Sequence, residues 1–406
     1  MNKNIIHKKS KKIVYTLLIL VILSAVAVYF APYFLDDSSP LLIITGIEQG
    51  KSYSKILEFV LNAEDESTKI GYVSVQIDNR KILQKYPKEK CIIESLAIDL
   101  VELRDGEHIL VVEVIDRAFR HNTTVDSIIF IADNTAPTLE IRAIPANVKQ
   151  GNTLALFVKS NEPLSELFGE LFDRDIVFYP NESDNKYYRS LIGVSVQQKI
   201  KKHRVEIVGI DIAGNHQTIQ YNITVRKTNF ERGTVNLPKS KTALLTDTEA
   251  RSIDRKKIKQ SYSTKISHQF WDGKSIRPAK GWISSSFGKR RVYNNGMLKS
   301  IHSGLDIANK VGTPVKAINS GIITLADTLP IHGITVVINH GQGVYSIYSH
   351  LSKVNVNFNE KVKSGQLIGL IGDTGQSTGP HLHWEIKVNG ISVNPEEWQN
   401  RDFEYP

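Results

Sequence analysis

The chain has 406 residues, 41% hydrophobic and 23% charged, a balance that excludes a disordered polymer and leaves room for two to four domains. Its single cysteine, Cys91, excludes an intramolecular disulfide and a multi-cysteine zinc ribbon, so any metal falls to His, Asp or Glu. The net charge of +9 is concentrated between Lys227 and Lys299, where 17 Lys and Arg stand against 5 Asp and Glu.

The first twelve residues carry five lysines and no acid, and Ile13–Ala31 then runs without a charge. At about 1.5 Å per helical residue such a run reaches nearly 30 Å, enough to cross a bilayer core. Lysines before the run and Asp36-Asp37 after it orient the N-terminus to the cytoplasm. The expectation is a basic tail (1–12) and a single-pass transmembrane anchor (13–35) in the cytoplasmic membrane, with the other domains in the periplasm or extracellular space. Ala25-Val26-Ala27 also fits a signal-peptide cleavage site, but the apolar run continues through Val28-Tyr29-Phe30 and favours the anchor. Export argues against nucleic acid as a partner. The basic stretch suits anionic wall polymers or lipid headgroups, or a solvated linker with no specific partner.

Two stretches beyond the anchor look like copies of one unit. His108, Asp116, Ala118 and His121 lie 95 residues before His203, Asp211, Ala213 and His216, and Ile77-Asp78 keeps the same offset to Phe172-Asp173. Alternation in Tyr72-Val-Ser-Val-Gln-Ile77 and Gln220-Tyr-Asn-Ile-Thr-Val225 is strand-like. A repeat near 95 residues built of short strands fits two Ig-like β-sandwich domains, 36–135 and 136–226. The phrases Asp133-Asn-Thr-Ala-Pro137 and Asp211-Ile-Ala-Gly-Asn215 resemble bacterial extracellular Ig-like modules. Cys91 reads as a small buried hydrophobe, and the four repeated histidines as products of duplication. Residues 227–270 read as a basic linker, in which Asp247–Ile258 is expected to form a short helix with acids early and bases late.

The last third holds the histidines that form a pattern. In His381-Leu-His383-Trp-Glu385-Ile, apolar residues alternate with polar ones, so His381 and His383 project from one face of a strand. His302-Ser-Gly-Leu-Asp306 joins an imidazole to a carboxylate, with Gly304 free to bend the backbone between them. Tyr348-Ser-His350-Leu351 ends another alternating run. Each alone has a plain structural reading: a chance pair, a turn histidine beside a capping Asp, a half-buried strand histidine. Glu385 shares the face of His383 and reads as a surface or salt-bridged acid, with support of a metal ligand as the alternative. His340 reads as a turn residue between two strands, and His332 as a loop residue bordering the cleft. Gly372–Gly379 lacks the Lys-Ser/Thr of a phosphate loop and reads as an open turn.

Taken in order, these elements resemble the lysostaphin/LytM-type zinc metallopeptidases, whose signature is His-x-x-x-Asp, a Tyr-x-His-Leu strand and His-x-His. Ser284-Ser-Ser-Phe-Gly288, Gly312-Thr-Pro-Val315, Gly365-Gln-Leu-Ile-Gly369, Gly372-Asp-Thr-Gly375 and Asn394-Pro395 match as well. The resemblance covers about 120 residues and implies a β-rich peptidase domain, here 271–406, in a mainly β chain. It implies one zinc ion per chain held by His302, Asp306 and His383, with His350 and His381 as the catalytic pair, and peptidoglycan as substrate. Three protein ligands leave a fourth position for water, as a catalytic zinc requires. Some proteins of this fold have lost the metal site and activate another wall hydrolase, so a non-catalytic activator or scaffold with a regulatory protein partner is the alternative.

Overall fold

The computed structural model describes residues 3–405. Strands make up 48% of it and helices 13%, the mainly β chain that the alternating segments imply. Lys3–Leu35 forms one helix, and within it Lys11–Leu35 is long and apolar enough to cross a membrane, with mean hydropathy 2.7 and none of that apolar window buried.

The chain divides into two units, residues 1–136 with 210–215, and residues 137–209 with 216–406. In the first, the strands Leu41–Thr45, Ile56–Glu64 and Cys91–Asp99 form one sheet. Ser52–Tyr53, Thr123–Ala132, Gly106–Asp116, Ile70–Ile77 and Arg80–Lys85 form another, in that order. Alternation decides which faces meet: Leu57, Phe59 and Leu61 turn inward with Val73, Val75, Val112 and Phe130, while Glu58 and Glu64 face solvent. Cys91 is exposed, contrary to the buried reading. It opens an edge strand on the outward phase of the pleat, where its thiol meets Asn62 Oδ1 at 3.5 Å.

The second unit begins with a like arrangement. Asn147–Lys149, His216–Arg226, Lys202–Asp211, Leu164–Glu170 and Asp175–Val177 make one sheet. Tyr179–Pro180, Tyr187–Gly193, Thr153–Ser160 and Leu139–Ile144 make the other, and Leu154, Leu156, Val158, Val205, Ile207 and Val225 fill the core between them. The repeat is visible in detail: His108 Nε2 donates to the carbonyl of Arg104 (2.7 Å), and His203 Nε2 to that of Lys199 (2.8 Å), each four residues back.

Residues 227–270 pack on their neighbours on both sides, Thr228 Oγ1 donating to the Gln150 carbonyl at 2.8 Å. Arg232–Val235 pairs in parallel with Arg290–Tyr293. The expected helix is present as Thr248–Gln260, capped by Asp247, whose carboxylate accepts from Ala250 N at 2.8 Å. Its Ile258 packs against Leu329, Val337, Tyr345 and Ile347. The C-terminal sheet runs Trp282–Ser285, Leu305–Ala308, His381–Val388, Val344–Val354, Gly333–Gly341, Gly321–Leu329, Lys361–Val362. Leu305, Ile307, Tyr348, Leu382, Trp384 and Ile386 form its core and fix the register of the three strands that carry the pattern.

Candidate metal centre

Strand His381–Val388 places Leu382, Trp384 and Ile386 in the core, which leaves His381, His383 and Glu385 on the opposite face. Leu305–Ala308 pairs with it antiparallel, so that Asp306 stands opposite His383. His302 reaches the same point from the preceding turn. A Cβ on Gly304 would lie 2.4 Å from the Trp384 carbonyl oxygen and 2.9 Å from His383 Cε1. The glycine is therefore required by close approach to the neighbouring strand, rather than by the bend expected of it.

Three donor atoms converge there. His302 Nε2 lies 2.9 Å from Asp306 Oδ1 and 3.0 Å from His383 Nδ1, and His383 Nδ1 lies 2.8 Å from the same Oδ1. The far nitrogens settle the tautomers. His302 Nδ1 faces the Ser286 carbonyl at 2.8 Å and His383 Nε2 faces Glu385 Oε1 at 2.9 Å, acceptors that call for N–H on those atoms. In the neutral rings two lone pairs and a carboxylate oxygen then point at one another, an arrangement that needs a cation at its centre. Ligands of a tetrahedral ion bound at about 2.0–2.1 Å lie roughly 3.3 Å apart, within a few tenths of what is seen. The donor set fits zinc. Asp306 gives its other oxygen to Arg291, and all three donor side chains are buried.

His350 arrives by a different route. Tyr348 lies in the core opposite Trp384, and simple alternation would carry His350 to that side. Instead the strand takes one extra residue against Ile334–Val336, and His350 adopts φ +62°. A non-glycine residue enters that region at a cost on the order of 1–3 kcal/mol. The bulge brings its ring beside His381 (centroids 4.8 Å apart) and His383 (6.0 Å). Here too one nitrogen is spent: His350 Nδ1 donates to the Thr374 carbonyl (2.7 Å) and His381 Nδ1 to that of Gly379 (2.8 Å). Both Nε2 atoms are left for the cleft, and that of His381 is 3.7 Å from Asp306 Oδ1.

Burial pushes His302 and His381 below the ordinary imidazole value, and His350 well below it with repulsion from His381 and His383 added. Burial works against charge on Asp306 as well, yet His302 and His383 hold it well below the carboxylate range. Against burial, the hydrogen bonds to Asp306 and Glu385 push His383 up to about 9. The cluster thus demands positive charge at His383 Nδ1, which either a proton or a divalent cation satisfies.

The structure brings all five pattern residues to one cleft of about 460 Å³. Glu385 is buried rather than on the surface, and it is salt-bridged to Lys387 (3.3 Å) while also meeting His383 Nε2 at 2.9 Å. His340 is a buried strand residue rather than a turn, bonded to the Ser320 carbonyl and Ser346 Oγ at 2.7 Å each. His332 does border the cleft. Arg291, which steadies Asp306, and Asp254, which binds His332, carry no local signal in the sequence.

The β-domain and its candidate donor set fit the metallopeptidase class. Residues 300–395 match Peptidase family M23, and the chain carries a C-terminal domain of that family, of the LytM type. Among curated relatives it is similar to the peptidoglycan DD-endopeptidase ShyA of Vibrio cholerae, 43% identical over 116 residues, 29% of this chain and 27% of that protein. It is also similar to the murein hydrolase activator EnvC of Escherichia coli, 35% identical over 129 residues, 32% of this chain and 30% of that protein. Among solved structures it is similar to the catalytic domain of lysostaphin from Staphylococcus simulans, 32% identical over 32% of this chain and 92% of that chain, with TM-score 0.24. The match spans less than a third of the length of those curated relatives.

Proposed function

We propose that the chain is a zinc-dependent endopeptidase that hydrolyses peptide stems or cross-links of bacterial peptidoglycan, with one zinc held by His302, Asp306 and His383. The observation that carries this reading is the convergence of two bare imidazole nitrogens and one carboxylate oxygen at 2.8–3.0 Å, beside two further imidazoles whose Nε2 atoms make no hydrogen bond among the described residues. When bound, zinc supplies Lewis-acid polarisation of a carbonyl and lowers the pKa of a water to about 7. The remaining work falls to the chain. His350 and His381, kept neutral by burial and fixed through Nδ1, each hold a lone pair able to take the proton of an attacking water. Once protonated, the same atoms donate to the leaving amine or to the oxyanion of the tetrahedral intermediate. Arg291, Glu385 and the Ser286 carbonyl hold Asp306, His383 and His302 in place.

The substrate class is carried over from relatives such as ShyA, whose name states it, and the match to EnvC supports a second reading as an activator of another hydrolase. In this proposal the helix Lys11–Leu35 is an uncleaved anchor with its N-terminus in the cytoplasm. The sandwich regions 36–135 and 136–226 are Ig-like domains, 227–270 joins them to the peptidase domain 271–406, and all four lie beyond the membrane. Digestion of purified peptidoglycan by the full-length protein tests the activity. Peptide bonds cut without chelator, spared with it and cut again after zinc is restored are the expected result. Intact peptides from zinc-loaded protein contradict the peptidase and favour the activator. A reporter fused after Asp37 should work only outside the cytoplasm, and a mature N-terminus near Val28 would remove the anchor.

A further inference from the structure

The helix Thr248–Gln260 buries an acid. Asp254 is 2% exposed, and a carboxylate taken out of water costs several kcal/mol unless it is fully hydrogen-bonded. Its partners all come from the loop before strand Gly333–Gly341: the backbone N–H of Ile331 (3.1 Å), the backbone N–H of His332 (2.8 Å) and His332 Nδ1 (2.6 Å). The carboxylate accepts, so Nδ1 carries the proton and Nε2 of the neutral ring is bare. Among the described residues that Nε2 has no hydrogen-bond partner. The ring borders the cleft of the metal centre, 6.4 Å from the His383 ring between centroids. It also borders a neighbouring cavity of about 910 Å³ walled by the same helix. The His332 carbonyl accepts from His350 N at 2.9 Å, at the point where His350 takes its left-handed backbone.

We propose that His332 is a third working imidazole of the cleft, a substrate-contacting residue whose Nε2 accepts an N–H of the bound peptide, and that Asp254 is its positioning residue. The inference rests on the peptidase reading. It adds that the helix Thr248–Gln260, outside the residues matched to the family, completes the site. The logic is that of any Asp–His pair: the acid fixes the tautomer and aim of the ring, and the ring does the work. A peptide suits the lone pair because every backbone amide offers an N–H, and an acceptor held in place by a buried carboxylate loses little entropy on meeting it. The same helix touches the cleft once more, Arg251 Nη2 bonding Gln376 Oε1 at 3.0 Å.

The test uses the full-length protein and a soluble cross-linked stem-peptide dimer, reading zinc content, kcat/KM and, on metal-stripped protein, peptide affinity by calorimetry. His332→Ala should keep its zinc, lose roughly tenfold or more in kcat/KM and weaken binding to the metal-stripped protein by a similar factor. Asp254→Asn, whose amide NH₂ disfavours the Nδ1–H tautomer, should behave alike, and the double variant should be no worse than His332→Ala alone. His332→Gln, which restores an acceptor oxygen, should recover part of the affinity. If Asp254→Asn lowers affinity equally with and without His332, the acid is only a loop clamp and the proposal falls. If His332→Ala binds the peptide as the unaltered protein does, it falls whatever the turnover. Unaltered protein that binds but does not cut the dimer overturns the peptidase reading alone, while one that does not bind it overturns both.

Discussion

His108 in the first sandwich region and His302 in the C-terminal domain are both buried histidines with one nitrogen bonded to a backbone carbonyl. They differ in what the second nitrogen meets. His108 spends it on Asp78, and the Arg104 carbonyl and Asp78 outweigh burial to raise its pKa, so both nitrogens are taken up by structural contacts. His302 turns it toward Asp306 Oδ1 and the equally bare His383 Nδ1. A metal centre is thus marked less by the number of histidines than by unspent lone pairs aimed at one point.

The largest effect that would break this contrast is on the donors themselves. His302→Ala or Asp306→Ala should abolish both bound zinc and turnover, whereas His108→Ala should leave zinc content and turnover unchanged. Retained zinc in the first two, measured by metal analysis of purified protein, would contradict the assignment. Next comes His350→Ala, expected to keep the zinc yet lose roughly 10²-fold or more in turnover, the scale of an acid–base group or oxyanion donor.

His340 sharpens the comparison within the C-terminal domain, because both its ring nitrogens are spent on hydrogen bonds. Burial pulls its pKa down to about 4, so the folded protein binds fewer protons than the unfolded chain below the ordinary value of about 6.5. The stability it contributes is present above about pH 6.5 and is lost as pH falls toward 4, by an amount on the order of 3 kcal/mol. Chemical denaturation across that range should show the loss, and His340→Gln should flatten it. Smaller still is Gly304→Ala, whose Cβ would press on the Trp384 carbonyl. Overpacking of that kind costs about 1–3 kcal/mol, and thermal unfolding should register it together with weakened zinc retention.

What the sequence made legible follows from periodicity. His381 and His383 share a face because strand side chains alternate, and Leu382, Trp384 and Ile386 supply the core that locks the phase. The helix at Thr248–Gln260 is legible in its charge order, acids early and bases late, whereas its Asp247 cap is a finding of the structure. Periodicity also misleads where it is broken: the alternation that includes Tyr348 gives no warning of the bulge that turns His350 outward. Cys91 departs from its reading because burial depends on whether a strand is edge or central, and His340 because its strand runs on to Gly341, neither of which local composition records. Asp254 and Arg291 were invisible for a further reason. Each acts on a residue 15 or more positions away, across contacts that only the folded chain creates.

In the proposed site five clustered residues divide into three that would hold metal and two that would move protons, and the division is narrowest at His381 and His383, two residues apart on one face. Zinc stoichiometry of purified His381→Ala and His383→Ala, determined beside peptidoglycan turnover, tests it most directly. The prediction is near one zinc per chain with turnover lost for His381→Ala, and both zinc and turnover lost for His383→Ala. Zinc lost from His381→Ala but kept by His383→Ala would exchange the two roles, and zinc and turnover kept by both would place the site elsewhere.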